Sequence, residues 1–267
     1  MPLEIFCHIN GIGAASGIVY TKNQLYLVSD SSAVFYRYAI ENQQLHSLHW
    51  DETLRENLPK KEKPDFEILT QIGNELHLMG SGSTSKRNLH VIYNLDSETF
   101  TTHNQTDLYE RFKNVADFSD DELNLEGAFF YDKKEYYFQR GNGRKGTNGI
   151  FIVSGNDIRF HPVSLPKIKN VETTFTDAFV VDDKAYFLAA AEDTDSTYND
   201  GAIMGSLIGS IDLTTMLVEF TELISNQHKL EGLTLFQKKE GELVFLICED
   251  NDTEVLQSTI YRLVIRT

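Results

Sequence analysis

Five short segments of this chain each place a small polar or acidic residue at the start of an apolar run. The residues are Ser16, Glu67, Glu126, Asp177 and Glu231, and they lie 51, 59, 51 and 54 residues apart. Carboxylates that share a narrow polar space repel one another, so such a group either holds protons or binds a cation. Calcium is favoured, because it takes roughly 6–8 oxygen ligands in flexible geometry. The five residues are therefore candidate calcium ligands; alternatively, they bond to backbone amides of neighbouring segments and keep the strands in register.

Each of these residues leads into a series of short strands. Runs rich in Tyr, Phe, Val and Ile alternate with turns of Asn, Asp, Gly and Lys, for example at 25–30, 75–80 and 184–190. A repeat of about 50 residues fits a unit of four strands. The sequence therefore predicts an all-β fold, a five-bladed β-propeller of four-stranded blades in which residues 1–267 form a single domain. A β-sandwich is the alternative, but it does not explain the recurrent acidic residues.

Two segments modify the repeat. Residues 106–122 carry apolar side chains at helical spacing, which predicts a helical insertion in the longest interval. The last segment offers three strands only, so the N-terminal strand 3–9 is expected to complete the last blade and close the ring, which removes two exposed sheet edges. This closure places Cys7 and Cys248 on strands separated by a third strand, and we expect both to be unpaired thiols.

The second strands of the five segments should end on the same face as the acidic residues. These ends are Ser29-Asp30, Ser81-Gly82-Ser83, Arg140-Gly141-Asn142, Glu192-Asp193 and Glu249-Asp250. Two of the loops that follow, 80–87 and 140–148, are basic although the chain is acidic. Cations next to hydroxyls and glycine-rich backbone can hold a phosphate or a carboxylate. The candidate substrate-binding residues are Ser81, Ser83, Lys86, Arg87, Arg140 and Asn142; alternatively, the loops are hairpins with solvated charges.

The segment starts resemble a known group of propellers. Leu125-Glu126-Gly127 and Leu230-Glu231-Gly232, together with Ser16-Gly17 and Phe66-Glu67, are similar to the inner strands of calcium-activated apyrases and of bacterial propellers of the esterase-like phytase type. This resemblance implies a five-bladed propeller with calcium in its channel, held by Ser16, Glu67, Glu126, Asp177 and Glu231. The pairing of Pro64-Asp65-Phe66-Glu67 with the run GSGST also resembles an uncharacterised bacterial propeller family, which implies no activity.

Three functions are compatible with these residues. The first is a calcium-dependent hydrolase of a small phosphorylated or ester substrate, in which Glu126 and Glu67 are the candidate catalytic carboxylates. The second is a glycoside hydrolase that uses two inner-strand carboxylates, such as Glu126 with Asp177 or Glu67. The third is a binding propeller without catalysis.

Composition narrows the possible partners. The chain has 24 Lys and Arg against 40 Asp and Glu, a formal net charge of −16. This balance argues against nucleic-acid binding and against adhesion to anionic membranes. The sequence contains no apolar run of membrane-spanning length and no secretory signal pattern, and its eight histidines show no metal-type spacing. We expect a cytoplasmic monomer that binds a small anionic molecule.

Overall fold

The computed structural model describes residues 1–53, 55–56, 58–59, 61–142, 146–194, 201–250 and 255–266. In chain order the first ten strands are β1 (Leu3–Asn10), β2 (Ala15–Thr21), β3 (Gln24–Ser29), β4 (Phe35–Ala39), β5 (Gln44–Leu48), β6 (Phe66–Ile72), β7 (Glu75–Gly80), β8 (Leu89–Asn94), β9 (Phe100–Asn104) and β10 (Leu125–Tyr131). The others are β11 (Lys134–Gln139), β12 (Gly149–Ser154), β13 (Asp157–Pro162), β14 (Thr173–Val181), β15 (Lys184–Asp193), β16 (Ala202–Asp212), β17 (Leu217–Ser225), β18 (Lys229–Lys239), β19 (Glu242–Asp250) and β20 (Gln257–Arg266). Helix α1 spans Thr106–Ala116, and a 3-10 turn spans Ser85–Arg87.

The strands form five antiparallel sheets of four strands each. Blades 1 to 4 are the consecutive meanders β2–β5, β6–β9, β10–β13 and β14–β17, and blade 5 has the order β18, β19, β20, β1. The innermost strands β2, β6, β10, β14 and β18 each contact the next, and β18 contacts β2. The predicted five-bladed propeller is therefore confirmed.

The N-terminal strand closes the ring, as predicted. β1 pairs with β20 from Leu3↔Leu263 to Asn10↔Gln257, so the two ends of the chain share blade 5. Ile260 pairs with Cys7 on one side and with Cys248 on the other. The two cysteines are therefore two strand spacings apart, farther than a disulfide can reach, and both are free thiols.

The hydrophobic core lies between the blades. Five clusters of buried side chains each combine residues of two adjacent blades; one, for example, packs Leu188 of blade 4 against Phe245 of blade 5. The inner strands of each blade therefore bury apolar side chains on both faces of the sheet, which explains why they have near-continuous apolar runs instead of strict alternation, whereas the outermost strands β5, β9, β13 and β17 are largely exposed.

The helical insertion covers one edge of this core. α1 buries Tyr109 and Phe112, and the ring of Phe112 stacks on Phe151 of β12 with centroids 4.4 Å apart. The helix is shorter than the predicted 106–122, because Asp117 adopts a left-handed conformation with φ of 54° and its N–H bonds to the Lys113 carbonyl. None of the helices in the described ranges is long and apolar enough to cross a membrane.

Glycines on the inner strands allow neighbouring blades to approach closely. A Cβ at Gly127 would lie 2.8 Å from the Ala178 nitrogen, and Gly17 and Gly232 meet the equivalent backbone of the next blade at 3.4 and 2.8 Å. These distances leave no room for a side chain at Gly127 or Gly232.

We expect Gly127→Ala to destabilise the protein by about 1–3 kcal/mol, because its methyl group would push apart blades 3 and 4. Chemical denaturation of the purified variant measures this loss. Gly13→Ala is the comparison, since its Cβ would stay 3.3 Å from the nearest atom, the Val255 carbonyl oxygen. Equal stability of Gly127→Ala and wild type would contradict the close packing described.

Candidate functional site

Each inner strand begins with a β-bulge that turns one side chain out of the ladder. In blade 1, Ala15 pairs with Ser29 and Gly17 pairs with Val28, so Ser16 has no opposite residue on β3. The same register shift in the other blades leaves out Glu67, Glu126, Thr176 and Glu231. The five bulged residues are equivalent positions around the axis, at the end of the channel that we call the mouth.

This register corrects the sequence-based alignment of blade 4. The residue equivalent to Ser16 and the three glutamates is Thr176, and Asp177 occupies the next position, where blades 1, 3 and 5 have glycine. The ring therefore contains three carboxylates and two hydroxyls. The correct alignment can be recognised in the sequence because an apolar residue, buried in the fold, comes directly before each bulged position. These residues are Ala15, Phe66, Leu125, Phe175 and Leu230.

The two hydroxyls of the ring hold neighbouring blades together. Ser16 donates its Oγ proton to the Phe66 carbonyl at 2.5 Å, and Thr176 donates to the equivalent Leu230 carbonyl at 2.7 Å. Asp177 bridges blades 4 and 5, since its carboxylate accepts the N–H groups of Ala178 and Leu233 at 2.7 and 2.6 Å. Burial raises the pKa of Asp177 well above its ordinary value, and these two N–H donors oppose that shift. Ser16 and Asp177 thus make contacts of the kind expected from the alternative interpretation, in which these residues bond to the backbone of neighbouring segments and keep the strands in register.

Glu126 and Glu231 each lie against a buried cation. Glu126 Oε1 accepts hydrogen bonds from Asn124 at 2.7 Å and from Arg140 at 3.2 Å, and Arg140 also pairs with Glu192. Glu231 Oε1 lies 2.8 Å from the Lys229 ammonium, while its Oε2 is buried without a hydrogen-bond partner in the described part of the chain.

Lys229 also forms an ion pair with Asp250, whose Oδ2 lies 3.0 Å from the same ammonium nitrogen. The carboxylates around Lys229 outweigh its burial and hold its pKa well above the ordinary value. Burial raises the pKa of Glu126 and raises that of Glu231 well above its ordinary value, and the neighbouring cations oppose both shifts.

Glu67 differs from the other two glutamates of the ring. No hydrogen bond or ion pair to another described residue neutralises it, and its side chain is only partly buried. Burial, followed by the charges of Glu126 and Asp65, raises its pKa well above the ordinary value. The charged form of Glu67 is therefore disfavoured in the folded protein, and a proton or a bound cation would relieve this cost.

Asp30 and Asp65 lie beside Glu67. One oxygen of each of the three carboxylates lies within 4.8 Å of the others. Asp65 Oδ2 accepts the Ser81 hydroxyl at 2.5 Å and pairs with Arg87 at 2.8 Å, and Asp30 Oδ2 pairs with Lys63 at 2.7 Å. The opposite oxygen of Asp30, Oδ1, is buried without a hydrogen-bond partner in the described ranges.

The described charges at the mouth do not balance. The carboxylates are Asp30, Asp65, Glu67, Glu126, Glu192, Glu231 and Asp250, and the cations are Lys63, Arg87, Arg140 and Lys229. Among the residues that the structure describes, these seven carboxylates face four cations, so this part of the mouth has a net negative charge when every group is ionised. A proton or a bound cation would lower its electrostatic free energy.

The predicted substrate-binding residues have different surroundings. Ser81, Ser83 and Arg87 are buried and bonded to one another or to Asp65, and Arg140 is buried between Glu126 and Glu192. Asn142 is half-buried and accepts a hydrogen bond from Asn124 at 3.3 Å. Lys86 is exposed. Residues 143–145 of the second basic loop lie outside the described residues.

Sequence reasoning did not select Asp65 and Lys229 as site residues. Both lie two residues before a bulged glutamate, as Asn124 does. That two-residue spacing is the signal that could have identified them. Asp30, Glu192 and Asp250 lie at the ends of second strands. The sequence analysis predicted that these ends share the face of the acidic residues, but it gave these three residues no role.

Solved structures with the same fold include several propellers. The chain has a TM-score of 0.55 and 12% identity to GH43B from the xyloglucan PUL of Bacteroides ovatus, covering 98% of this chain and 54% of that one. It has a TM-score of 0.52 and 10% identity to a luciferin-regenerating enzyme, covering 98% and 94%. Glutaminyl cyclase of Myxococcus xanthus also matches with a TM-score of 0.52 and 10% identity, covering 99% and 100%. At these identities the likeness establishes the fold alone.

A match to a protein-family model classifies the chain more specifically than the solved structures do. No curated protein matches it. The model described as "Family of unknown function (DUF6929)" matches residues 11–265, which include all five inner strands and every carboxylate of the mouth. The chain therefore belongs to the DUF6929 family.

Proposed function

We propose that this propeller is a calcium-dependent hydrolase of small phosphorylated or ester substrates, with the ion held at the mouth by Asp30, Asp65 and Glu67. The observation that carries the proposal is the approach of these three carboxylates to within 4.8 Å of one another, with one oxygen of Asp30 buried and unpartnered. The ligand set differs from the five residues proposed from sequence. Glu67 is common to both sets.

The donor set fits calcium. Asp30 and Asp65 each use one oxygen to contact a cation or a hydroxyl of the protein, which orients the other oxygen and leaves it for a ligand. Calcium accepts carboxylate, carbonyl and water oxygens in irregular geometry, whereas magnesium demands a regular octahedron. The net negative charge of the described residues at the mouth adds a long-range attraction for a divalent cation.

A calcium ion bound here would polarise a phosphoryl or ester oxygen of the substrate and orient a water molecule. Glu126 is the candidate general base, because its raised pKa brings it closer to the range in which a carboxylate accepts a proton effectively. Arg140 positions Glu126 through their 3.2 Å contact. Lys86, exposed on the first basic loop, is the candidate for holding the anionic part of the substrate. The luciferin-regenerating enzyme and the glutaminyl cyclase are propellers named as enzymes, which is compatible with a catalytic mouth.

Calcium is expected to raise the melting temperature of the wild-type protein, and EGTA to lower it again. At a calcium concentration 100 times the Kd, binding stabilises the folded state by about 2.7 kcal/mol. Glu67→Gln should remove this shift, because the amide cannot supply the anionic ligand. Asp96→Asn is the matched control, since Asp96 is an exposed acid paired with Lys22 on the surface. A calcium shift that persists in Glu67→Gln, or is missing from wild type, would refute this metal site.

Catalysis is tested separately from binding. Nitrophenyl phosphates and carboxylate esters should be hydrolysed by the calcium-loaded protein, and Glu126→Gln should lower kcat by about 10²–10⁴ while leaving the calcium shift in place. Calcium binding without turnover of either substrate class would instead identify a binding propeller. Turnover of nitrophenyl glycosides alone would identify the glycosidase alternative.

A further inference from the structure

A cavity of about 390 Å³ lies between blades 2 and 3, with helix α1 on its outer side. β6 reaches it at its last residue, Ile72, and β11 at its second residue, Glu135, so the cavity lies toward the end of the blades opposite the mouth. Sites for small molecules have volumes of about 300–1,000 Å³ and combine an apolar lining with a few polar groups. This volume is at the lower end of that range, which fits a ligand of the size of an amino acid better than a nucleotide.

One wall of the cavity carries a carboxylate without a cation partner. Glu135 is half-buried, and its Oε2 accepts the Tyr137 hydroxyl at 2.5 Å, but among the described residues no Lys or Arg forms an ion pair with it. The two histidines of the lining do not supply a charge, because burial lowers the pKa of His77 and lowers that of His90 to about 4. Glu135 is therefore an anion whose Oε1 can accept hydrogen bonds from a positively charged ligand group.

Arg111 of α1 brings a positive charge to the same cavity. Its side chain is exposed, and its Nη2 donates to the Asn156 carbonyl oxygen at 2.8 Å, which is a neutral acceptor. In the part of the chain that the structure describes, no carboxylate forms an ion pair with this guanidinium, which keeps its remaining N–H donors. The bond to Asn156 holds the guanidinium against the turn between β12 and β13, where Gly155 also lines the cavity. One small cavity thus contains a cation and an anion that do not neutralise each other.

Much of the remaining lining is apolar. It is contributed by β6, β7, α1, β10 and β12, and the side chains are Ile72, Met79, Leu108, Ala128, Phe129 and Val153. An apolar group that binds against these side chains leaves water, which favours binding. The cavity therefore offers three complementary features to one ligand, namely a positive group, a negative group and an apolar surface.

We propose that the cavity between blades 2 and 3 binds an α-amino acid with an apolar side chain, whose carboxylate contacts Arg111 and whose ammonium contacts Glu135. A free amino acid carries both charges on one carbon, so a single ligand pairs two protein groups of opposite charge. Hydrogen bonds between charged groups of this kind are roughly twice as strong as neutral ones. A ligand with one charge would leave the other protein group unpaired. This site shares no residue with the mouth and does not depend on the proposed hydrolase function.

Titration with leucine and three of its analogues, followed by calorimetry and by NMR shifts for weak ligands, tests this site. Leucine is expected to bind wild type with a Kd of about 1 mM or lower. 4-Methylpentanoate lacks the ammonium and 3-methylbutylamine lacks the carboxylate. Each should bind about 10–100-fold more weakly than leucine, because each leaves one protein charge without a partner. Glycine, which lacks the apolar side chain, should also bind at least about 10-fold more weakly.

Two variants assign each charge of the ligand to one side chain. Glu135→Gln keeps the shape of the residue and should bind leucine about 10–100-fold more weakly. Leucine and 4-methylpentanoate should then bind this variant about equally, because the group that contacts the ammonium is gone. Arg111→Gln should lose affinity to a similar extent and should no longer distinguish leucine from 3-methylbutylamine. A purely structural effect of either substitution would weaken all ligands together and would not remove this discrimination.

Controls and contrary outcomes are equally specific. Arg159→Gln alters an exposed arginine of blade 3 that pairs with Asp157, and it should bind leucine as wild type does, as should Glu67→Gln at the mouth. The proposal is wrong if wild type shows no saturable binding of leucine, methionine or phenylalanine. It is also wrong if 4-methylpentanoate or 3-methylbutylamine binds as tightly as leucine, since the ligand class would then carry a single charge. Unchanged leucine affinity in Glu135→Gln and Arg111→Gln would place the amino acid elsewhere and overturn the proposal equally.

Discussion

Arg140→Met is expected to destabilise the protein by about 3–5 kcal/mol, the range measured when one partner of a buried ion pair is removed. Arg140 is 5% exposed and contacts two buried carboxylates, Glu126 and Glu192. Methionine fills similar space but leaves both carboxylates without their cation. The loss should be smaller at pH 5 than at pH 8, because burial raises the pKa of Glu126, which therefore takes up a proton more readily at the lower pH once Arg140 is absent. Urea denaturation at both pH values measures the difference.

Two further variants show whether charge is the cause. The triple variant Arg140→Met with Glu126→Gln and Glu192→Gln should recover most of the loss, since no unpaired buried charge remains. Lys238→Met is the surface control; Lys238 pairs with Asp182 in the solvent, and its loss should cost less than about 1 kcal/mol. If Arg140→Met lowers the free energy of unfolding by no more than Lys238→Met does, the ion pairs of Arg140 with Glu126 and Glu192 do not stabilise the fold as described.

Glu67→Gln is expected to stabilise the calcium-free protein at pH 8, by about 1–3 kcal/mol. Ionised Glu67 is disfavoured by its partial burial and by the charges of Glu126 and Asp65, and removing such a charge is worth about 1–3 kcal/mol. Glutamine keeps the shape of Glu67 but has no charge to repel Glu126 and Asp65. The same substitution removes a proposed calcium ligand, so the order of stability should reverse in saturating calcium, with wild type the more stable protein.

The pH dependence follows from the direction of the Glu67 shift. Its pKa in the folded protein is raised above the unfolded value, so the folded state holds a proton that the unfolded state releases. This contribution to stability is fully present below the unfolded pKa and is lost as pH rises through the folded pKa. The stability difference between Glu67→Gln and calcium-free wild type should therefore grow from pH 5 to pH 8. A constant difference across that range would show that Glu67 does not titrate as described.

Much of the fold could be predicted from the residues, because the signals involved are local. An apolar residue before a bulge, a strand, a tight turn and an aromatic strand recur five times, and each signal depends on neighbours within a few residues. The closure of blade 5 by β1 is a long-range contact, but the last segment lacks one strand and the N-terminus has a spare one, so counting strands was enough. The end of α1 was misjudged because the left-handed turn at Asp117 stops the helix before its polar continuation.

The candidate site was only partly predictable. Charge type suggested that Asp177 belonged with the glutamates, whereas strand pairing places Thr176 there, because a one-residue shift changes which side chain faces the channel. The arginines of the two basic loops looked like anion ligands in isolation. In the folded chain Arg87 and Arg140 lie against Asp65, Glu126 and Glu192.

The sequence by itself determined that this protein has five repeated blades, with acidic residues recurring at the start of their inner strands. Such patterns record local hydrogen bonding and burial, which act within one blade. Only the tertiary structure decided which of these charges neutralise one another and which do not. Glu126 and Arg140 share a blade, but Glu192 reaches Arg140 from the next blade, and the three carboxylates Asp30, Asp65 and Glu67 come together from two blades. Electrostatic free energy depends on distance in space and on exclusion of water, and neither can be read from spacing along the chain.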